Sequence, residues 1–202
     1  MGTARTQKQT SSIASVGKAD EAKAIATIAL AFATDPMMRW SFADDAVYRD
    51  VAPKFIRAFG GRAFTHGTAD ATENFEAVGL WLPPNTEPDG RAMMEIFEKL
   101  ERTSEEQRDG QGLFEQMEHF HPKEPHWYLP LIGTDPVHHG KGYGADLMAH
   151  AIWRCDESRM PAYLESSNPA NVPFYERYGF KVMGKIQQGS SPVLTPMFRQ
   201  AR

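Results

Sequence analysis

A single cysteine, Cys155, leaves this 202-residue chain without an internal disulfide, and a reducing, cytoplasmic home is expected. No apolar run reaches the roughly 18 residues that a membrane-spanning helix needs. The opening stretch MGTARTQKQTSSIASVGKAD has none of the apolar character of a secretory signal. Excess basic charge is missing too: 22 Lys and Arg face 26 Asp and Glu, a formal net charge of -4. A nucleic-acid partner would call for a basic face, so none is expected, and neither is a membrane or a metal ion. What remains is 41% hydrophobic and 24% charged, the composition of an ordinary globular protein.

Residues 1–10 are polar and read as a flexible start, and 11–202 as one domain. Ser11–Val16 suits an edge strand. Asp20 looks like an N-cap before Ile25, Ile28, Ala29 and Phe32, which recur at helical spacing until Pro36 stops them. Val51, Phe55 and Phe59 predict a second helix over about 46–64. Phe75–Pro84 reads as a strand ended by two prolines. The block 86–125 is helical in pattern: Met93, Ile96, Phe97 and Leu100 share a face, Thr103 with Glu106 resembles a capping box for a following turn or helix, and Leu113, Phe114 and Met117 suit a further short helix. An insertion of this kind is a candidate substrate wall.

His126–Thr134 is a strongly apolar strand containing Pro130, which marks an edge, a bulge or the end of pairing. A glycine loop follows, and then Leu147, Met148, Ala151, Ile152 and Cys155 on one helical face, where Cys155 reads as core. Ala162–Ser167 is a short strand. Asn168–Gly179 holds a short helix, Phe180–Ile186 a strand and Thr195–Gln200 a last one.

The loop itself, DPVHHGKGYGADLM, places Gly140, Gly142 and Gly144 between a strand and a helix. A helix N-terminus offers free N–H groups to an anion, and glycine lets the backbone approach it. A P-loop needs Gly-Lys followed by Ser or Thr, and here Gly142 follows Lys141. A dinucleotide fingerprint fits Gly140 and Gly142, but Ala145 takes its third place and the loop lies late in the chain. The pattern [Q/R]-x-x-G-x-[G/A] fits better, with His139 in the first slot where Gln or Arg is usual. A tight turn without a ligand is the plain alternative.

Together with LESSNPANVPFYERYGF, whose Asn168, Tyr175, Gly179 and Phe180 fall in order, this loop resembles the paired signature of the GCN5-related N-acetyltransferase (GNAT) superfamily. Over roughly 118–187 the chain is also similar to the puromycin N-acetyltransferase branch. The resemblance implies an α/β fold: a central twisted mixed sheet of six to seven strands, splayed between strands 4 and 5 at 126–134 and 162–166, with helices on both faces. It implies acetyl-CoA as co-substrate, its pantetheine arm on the backbone of Leu131, Ile132, Gly133 and Thr134. Its pyrophosphate would be wrapped by His139, Gly140, Lys141, Gly142, Tyr143, Gly144 and Ala145, with Asn168 nearby. The expected partner is the primary amine of a small molecule, and the chain a monomer or homodimer. Tyr175 matches the position of the acid that protonates the departing thiolate. A base for the amine is expected too: Glu165, at the end of the strand that by the resemblance borders the cleft, is the first candidate, with His119, His121, Glu124 and His126 flanking the preceding strand. A protein N-acetyltransferase and a CoA-binding sensor without turnover are the competing readings.

Overall fold

A computed structural model describes residues 11–202; the expectation for 1–10 lies outside the described residues. The strands are β1 (Ile13–Ser15), β2 (Ala69–Thr72), β3 (Ala77–Leu82), β4 (Trp127–Thr134), β5 (Ala162–Ser166), β6 (Lys181–Val182) and β7 (Thr195–Arg199). The helices are α1 (Glu21–Ala31), α2 (Pro36–Ser41), α3 (Asp45–Gly60), α4 (Arg62–His66), α5 (Gly90–Glu98), α6 (Ser104–Phe120), α7 (Tyr143–Glu157) and α8 (Val172–Glu176).

The strands form one mixed sheet in the order β1-β2-β3-β4-β5-β7-β6. Its pairs are antiparallel except β4 with β5. That pair holds only at Trp127–Ala162 and Tyr128–Tyr163, after which the two strands part. The parting has a local cause. Between Tyr128 and Leu131 β4 carries one residue more than β3 does between Leu82 and Leu80. The bulge contains Pro130, which has no N–H to donate. It also shifts the side-chain alternation by one. Tyr128 and Leu131 both join the core on one face, while Trp127 and Leu129 join the other.

Helices cover both faces. Val78, Leu80 and Leu82 pack against Ile25 and Ile28 of α1, Ile56 of α3 and Ala63 of α4. Trp81 and Leu164 pack against Met148, Ala151 and Cys155 of α7. Cys155 is core as expected, and burial pushes its thiol up to about 12, which keeps it unreactive. Gly133 sets how closely α1 lies on β4: a Cβ there would stand 2.5 Å from the Cβ of Ala31.

Several boundaries differ from expectation. Pro36 starts a helix rather than stopping one. Helix α1 has already ended at Ala31, and Asp35 caps α2 by accepting from the N–H groups of Met37 and Met38. The 46–64 helix is two, α3 and α4. The helix around Leu113 is not short: α6 runs 17 residues from the Thr103–Glu106 capping box. Within Phe180–Ile186 only Lys181 and Val182 form a strand, and an isolated bridge joins Ile186 to Leu194. Strand β2 was not anticipated.

Candidate active site

Where β4 and β5 part, a cleft of about 600 Å³ opens. Leu131 to Thr134 pair with Leu80 to Ala77 of β3 on one side and line the cleft on the other. Past Tyr128 this second edge of β4 has lost β5, so its main-chain groups are free to pair with an extended ligand.

The glycine loop closes one end. Asp135 accepts from the N–H of Val137 and holds a 3-10 turn, Pro136–His138. Gly140 and Gly142 then take φ of 76° and 94°, a region glycine alone enters without strain. Helix α7 starts at Tyr143, and no side chain caps it, so its first N–H groups and their partial positive charge remain available. The ring of His139 donates from Nε2 to the carbonyl of Thr134 at 3.0 Å and so ties the loop to the end of β4.

Among the residues expected to hold the coenzyme, Leu131, Ile132, Gly133, Thr134, His139, Gly140, Gly144 and Asn168 line the cleft. Lys141, Gly142, Tyr143 and Ala145 do not. Lys141 Nζ stands 3.1 Å from His138 Nδ1, the Tyr143 ring meets His138 edge to face, and the Ala145 carbonyl accepts from Tyr178. Asn168 spends its side-chain oxygen on the N–H of Ala170.

Tyr175 and Glu165 stand on the opposite lip, and both line the cleft. Tyr175 is 8% exposed. Burial, with Asp35 nearby, raises its hydroxyl well above the usual tyrosine value, so it stays protonated at neutral pH. Asp35, which the sequence reading passed over, lines the cleft beside it, and its second oxygen accepts from Ser167. The only local signal was its position as an N-cap before Pro36.

Glu165 Oε2 accepts from Tyr128 at 2.8 Å. Its Oε1 is buried without a partner, as is the hydroxyl of Tyr163. Burial raises this carboxyl to about 7, although the Tyr128 hydrogen bond pulls the other way. Behind it lie two of the four flanking candidates. His121 packs edge-on to Tyr128 and Tyr163, each ring 5.0 Å away. Its Nε2 is 3.2 Å from Nε2 of His126, whose Nδ1 donates to the carbonyl of Glu124. Burial lowers the basicity of His121, so this ring is neutral at pH 7. His119 lies beside Phe120, at a different hollow, and neither it nor Glu124, His121 or His126 lines the cleft.

The far end of the cleft is aromatic. Trp40, Phe55, Phe97 and Phe114 line it with Leu113 and Met117, and the rings of Phe55, Phe97 and Phe114 follow one another at 5.8–5.9 Å. These side chains come from α2, α3, α5 and α6, so no single stretch of sequence announced them.

Residues 116–200 match the family model described as the acetyltransferase (GNAT) domain. An uncharacterized N-acetyltransferase of Schizosaccharomyces pombe is 26% identical over 182 residues, which cover 80% of this chain and 70% of that protein. A Corynebacterium glutamicum structure, described as histone acetyltransferase HPA2 and related acetyltransferase, superposes with a TM-score of 0.68 at 25% identity, over 96% of this chain and 98% of the other. Over residues 116–200 the chain is similar in sequence to GNAT acetyltransferases, and over nearly its whole length it is similar to an acetyltransferase in fold. The polyamine N-acetyltransferase of Drosophila melanogaster shares the GNAT fold at 11% identity, with a TM-score of 0.63 and coverage of 94% and 99%. The parted strands and the turn before α7 are therefore where the GNAT expectation put them.

Proposed function

We propose that this chain moves acetyl from acetyl-CoA to the primary amine of a small molecule, by direct attack in a ternary complex. The observation that carries the reading is one continuous cleft that joins the glycine turn, the free edge of β4, Tyr175 and Glu165. The residues fit the coenzyme. The uncapped start of α7 suits phosphate, and the unpaired edge of β4 suits the amide groups of a pantetheine arm.

Bound acetyl-CoA would supply an acyl carbon open to attack and a thiolate able to leave. The main-chain N–H groups along β4 would stabilise the negative charge that gathers on the acyl oxygen. Glu165, poised near neutral pH and lining the cleft, takes the proton that the amine sheds. Tyr175 keeps its proton until the sulfur departs and then gives it up. Tyr128 holds the Glu165 carboxylate in place.

The aromatic wall from α5 and α6 supports a small acceptor. A protein substrate is the second reading, prompted by the histone acetyltransferase name of the Corynebacterium relative. The resemblance to the puromycin branch adds puromycin to the acceptors worth trying. The test is thiol release from acetyl-CoA with a panel of primary amines and with histone peptides. Release that needs a small amine supports the proposal. Release with peptides alone moves the acceptor to the second reading, and no release with any amine refutes transfer.

A further inference from the structure

Arg102 sits between α5 and α6 and lines the aromatic end of the cleft. Its guanidinium carbon is 5.6 Å from the ring centre of Trp40 and 5.4 Å from that of Phe97. Helix α6 leaves room for it with a glycine: a Cβ on Gly110 would come within 3.2 Å of Arg102 Nη1. The side chain is therefore a built feature of the wall, its guanidinium set against two rings.

Its charge, however, has no partner. Arg39, Arg57, Arg91, Arg154 and Arg199 each meet a carboxylate within 4.0 Å, and among the described residues Arg102 meets none. Glu106, the acid whose charge favours the Arg102 cation, turns one carboxylate oxygen to the N–H and hydroxyl of Thr103. Burial makes the cation less favourable and lowers the pKa of Arg102. A partly buried guanidinium keeps five planar donors that suit a carboxylate.

The same cleft also carries two acids, Asp35 and Glu165. Phe97, Phe114 and Leu113 give the cleft an apolar surface as well. We propose that Arg102 binds a carboxylate on the acceptor, which makes the acceptor a dipolar molecule: an amine at the Glu165 end, an apolar, preferably aromatic body, and an anionic far end. This rests on the transferase reading and narrows its substrate class. It also separates the acceptor from polycationic amines, whose second ammonium would face Arg102.

The test uses matched amines: 4-(aminomethyl)benzoate with benzylamine, 4-(2-aminoethyl)benzoate with phenethylamine, and 6-aminohexanoate with hexylamine. Binding to the CoA-saturated protein is read by calorimetry, and kcat/KM by thiol release. In at least one pair the carboxylate is expected to improve both by about tenfold or more, the scale of a charge-assisted pair. Arg102→Gln should erase that ratio and Arg102→Lys should restore part of it, each checked for folding by thermal denaturation. The proposal is overturned if no carboxylated amine beats its neutral partner, or if the advantage survives Arg102→Gln. It is also overturned if Arg102→Gln weakens acetyl-CoA binding, which would assign the arginine to the coenzyme. If acetyl-CoA does not bind, the transferase reading has failed instead, a result that calorimetry without any amine reports separately.

Discussion

At one end of the cleft the lining comes from the backbone of Leu131–Thr134 and the turn around Gly140, while at the other it comes from the side chains of Trp40, Phe55, Phe97 and Phe114. The first end is contiguous in sequence and needs only conformations: a bulge at Pro130, positive φ at Gly140 and Gly142, and a helix left uncapped. The second end is assembled from four helices whose residues lie far apart along the chain. A main-chain site suits a ligand that is always the same, since it does not depend on side-chain identity. A side-chain site can change with each acceptor while the fold stays fixed.

Tyr175 and Glu165, the proposed reacting groups, line the same cleft, and removing one should have the largest effect. Tyr175→Phe is expected to lower kcat by about 10²–10⁴-fold, the range for a lost general acid, with acetyl-CoA affinity unchanged. Equal turnover in stopped assays of the two proteins would remove Tyr175 from the chemistry.

Glu165→Gln should cost somewhat less, about 10²-fold at neutral pH, because bulk water can accept the proton slowly. Its pH profile is the sharper measure. A base must be deprotonated, so kcat/KM of the intact protein should rise as pH increases through about 7. The Gln variant should lack that step. A step that persists in the variant would point to another base.

Gly142→Ala tests the backbone end alone. At φ 94° a side chain is strained, and the cost of about 1–2 kcal/mol should appear as lost stability and a weaker hold on acetyl-CoA, with acceptor KM little changed. Phe114→Ala tests the opposite end. This ring is 39% exposed, so its loss should barely alter the melting temperature yet raise acceptor KM several-fold, about 1 kcal/mol, and leave acetyl-CoA affinity alone. If either substitution moves both constants equally, the two ends do not act separately. The smallest effect is expected at Lys141→Ala: its ammonium stands by His138 outside the cleft, and acetyl-CoA KM should change less than about twofold, as for an exposed charge.

The same contrast explains what the sequence made legible. The strand–glycine turn–helix order could be read because each of its requirements is local, and Pro130 could be tied to the end of pairing for the same reason. Tyr175 was singled out through the resemblance and Glu165 through its place at the end of an identifiable strand, and both line the cleft. Strand β2, Ala-Asp-Ala-Thr, escaped notice because it carries a buried acid. Asp70 is acceptable there only because Arg154, 84 residues away, donates to it at 2.6 Å. Asp35 and Arg102 were missed on similar grounds. Locally one is a helix cap and the other a polar link between helices, and only tertiary contacts bring them to the cleft. Helix α6 looked short because Gly110 and Gly112 interrupt its pattern, and those glycines make room for Arg102 and Gln188.

The most direct measurement is a calorimetric titration of the protein with acetyl-CoA, with ATP and NADH as controls. Micromolar binding of acetyl-CoA, with little or none for the two controls, is the result the backbone-built end predicts. No binding of acetyl-CoA, or equal binding of all three, would contradict it and reduce the glycine loop to a tight turn.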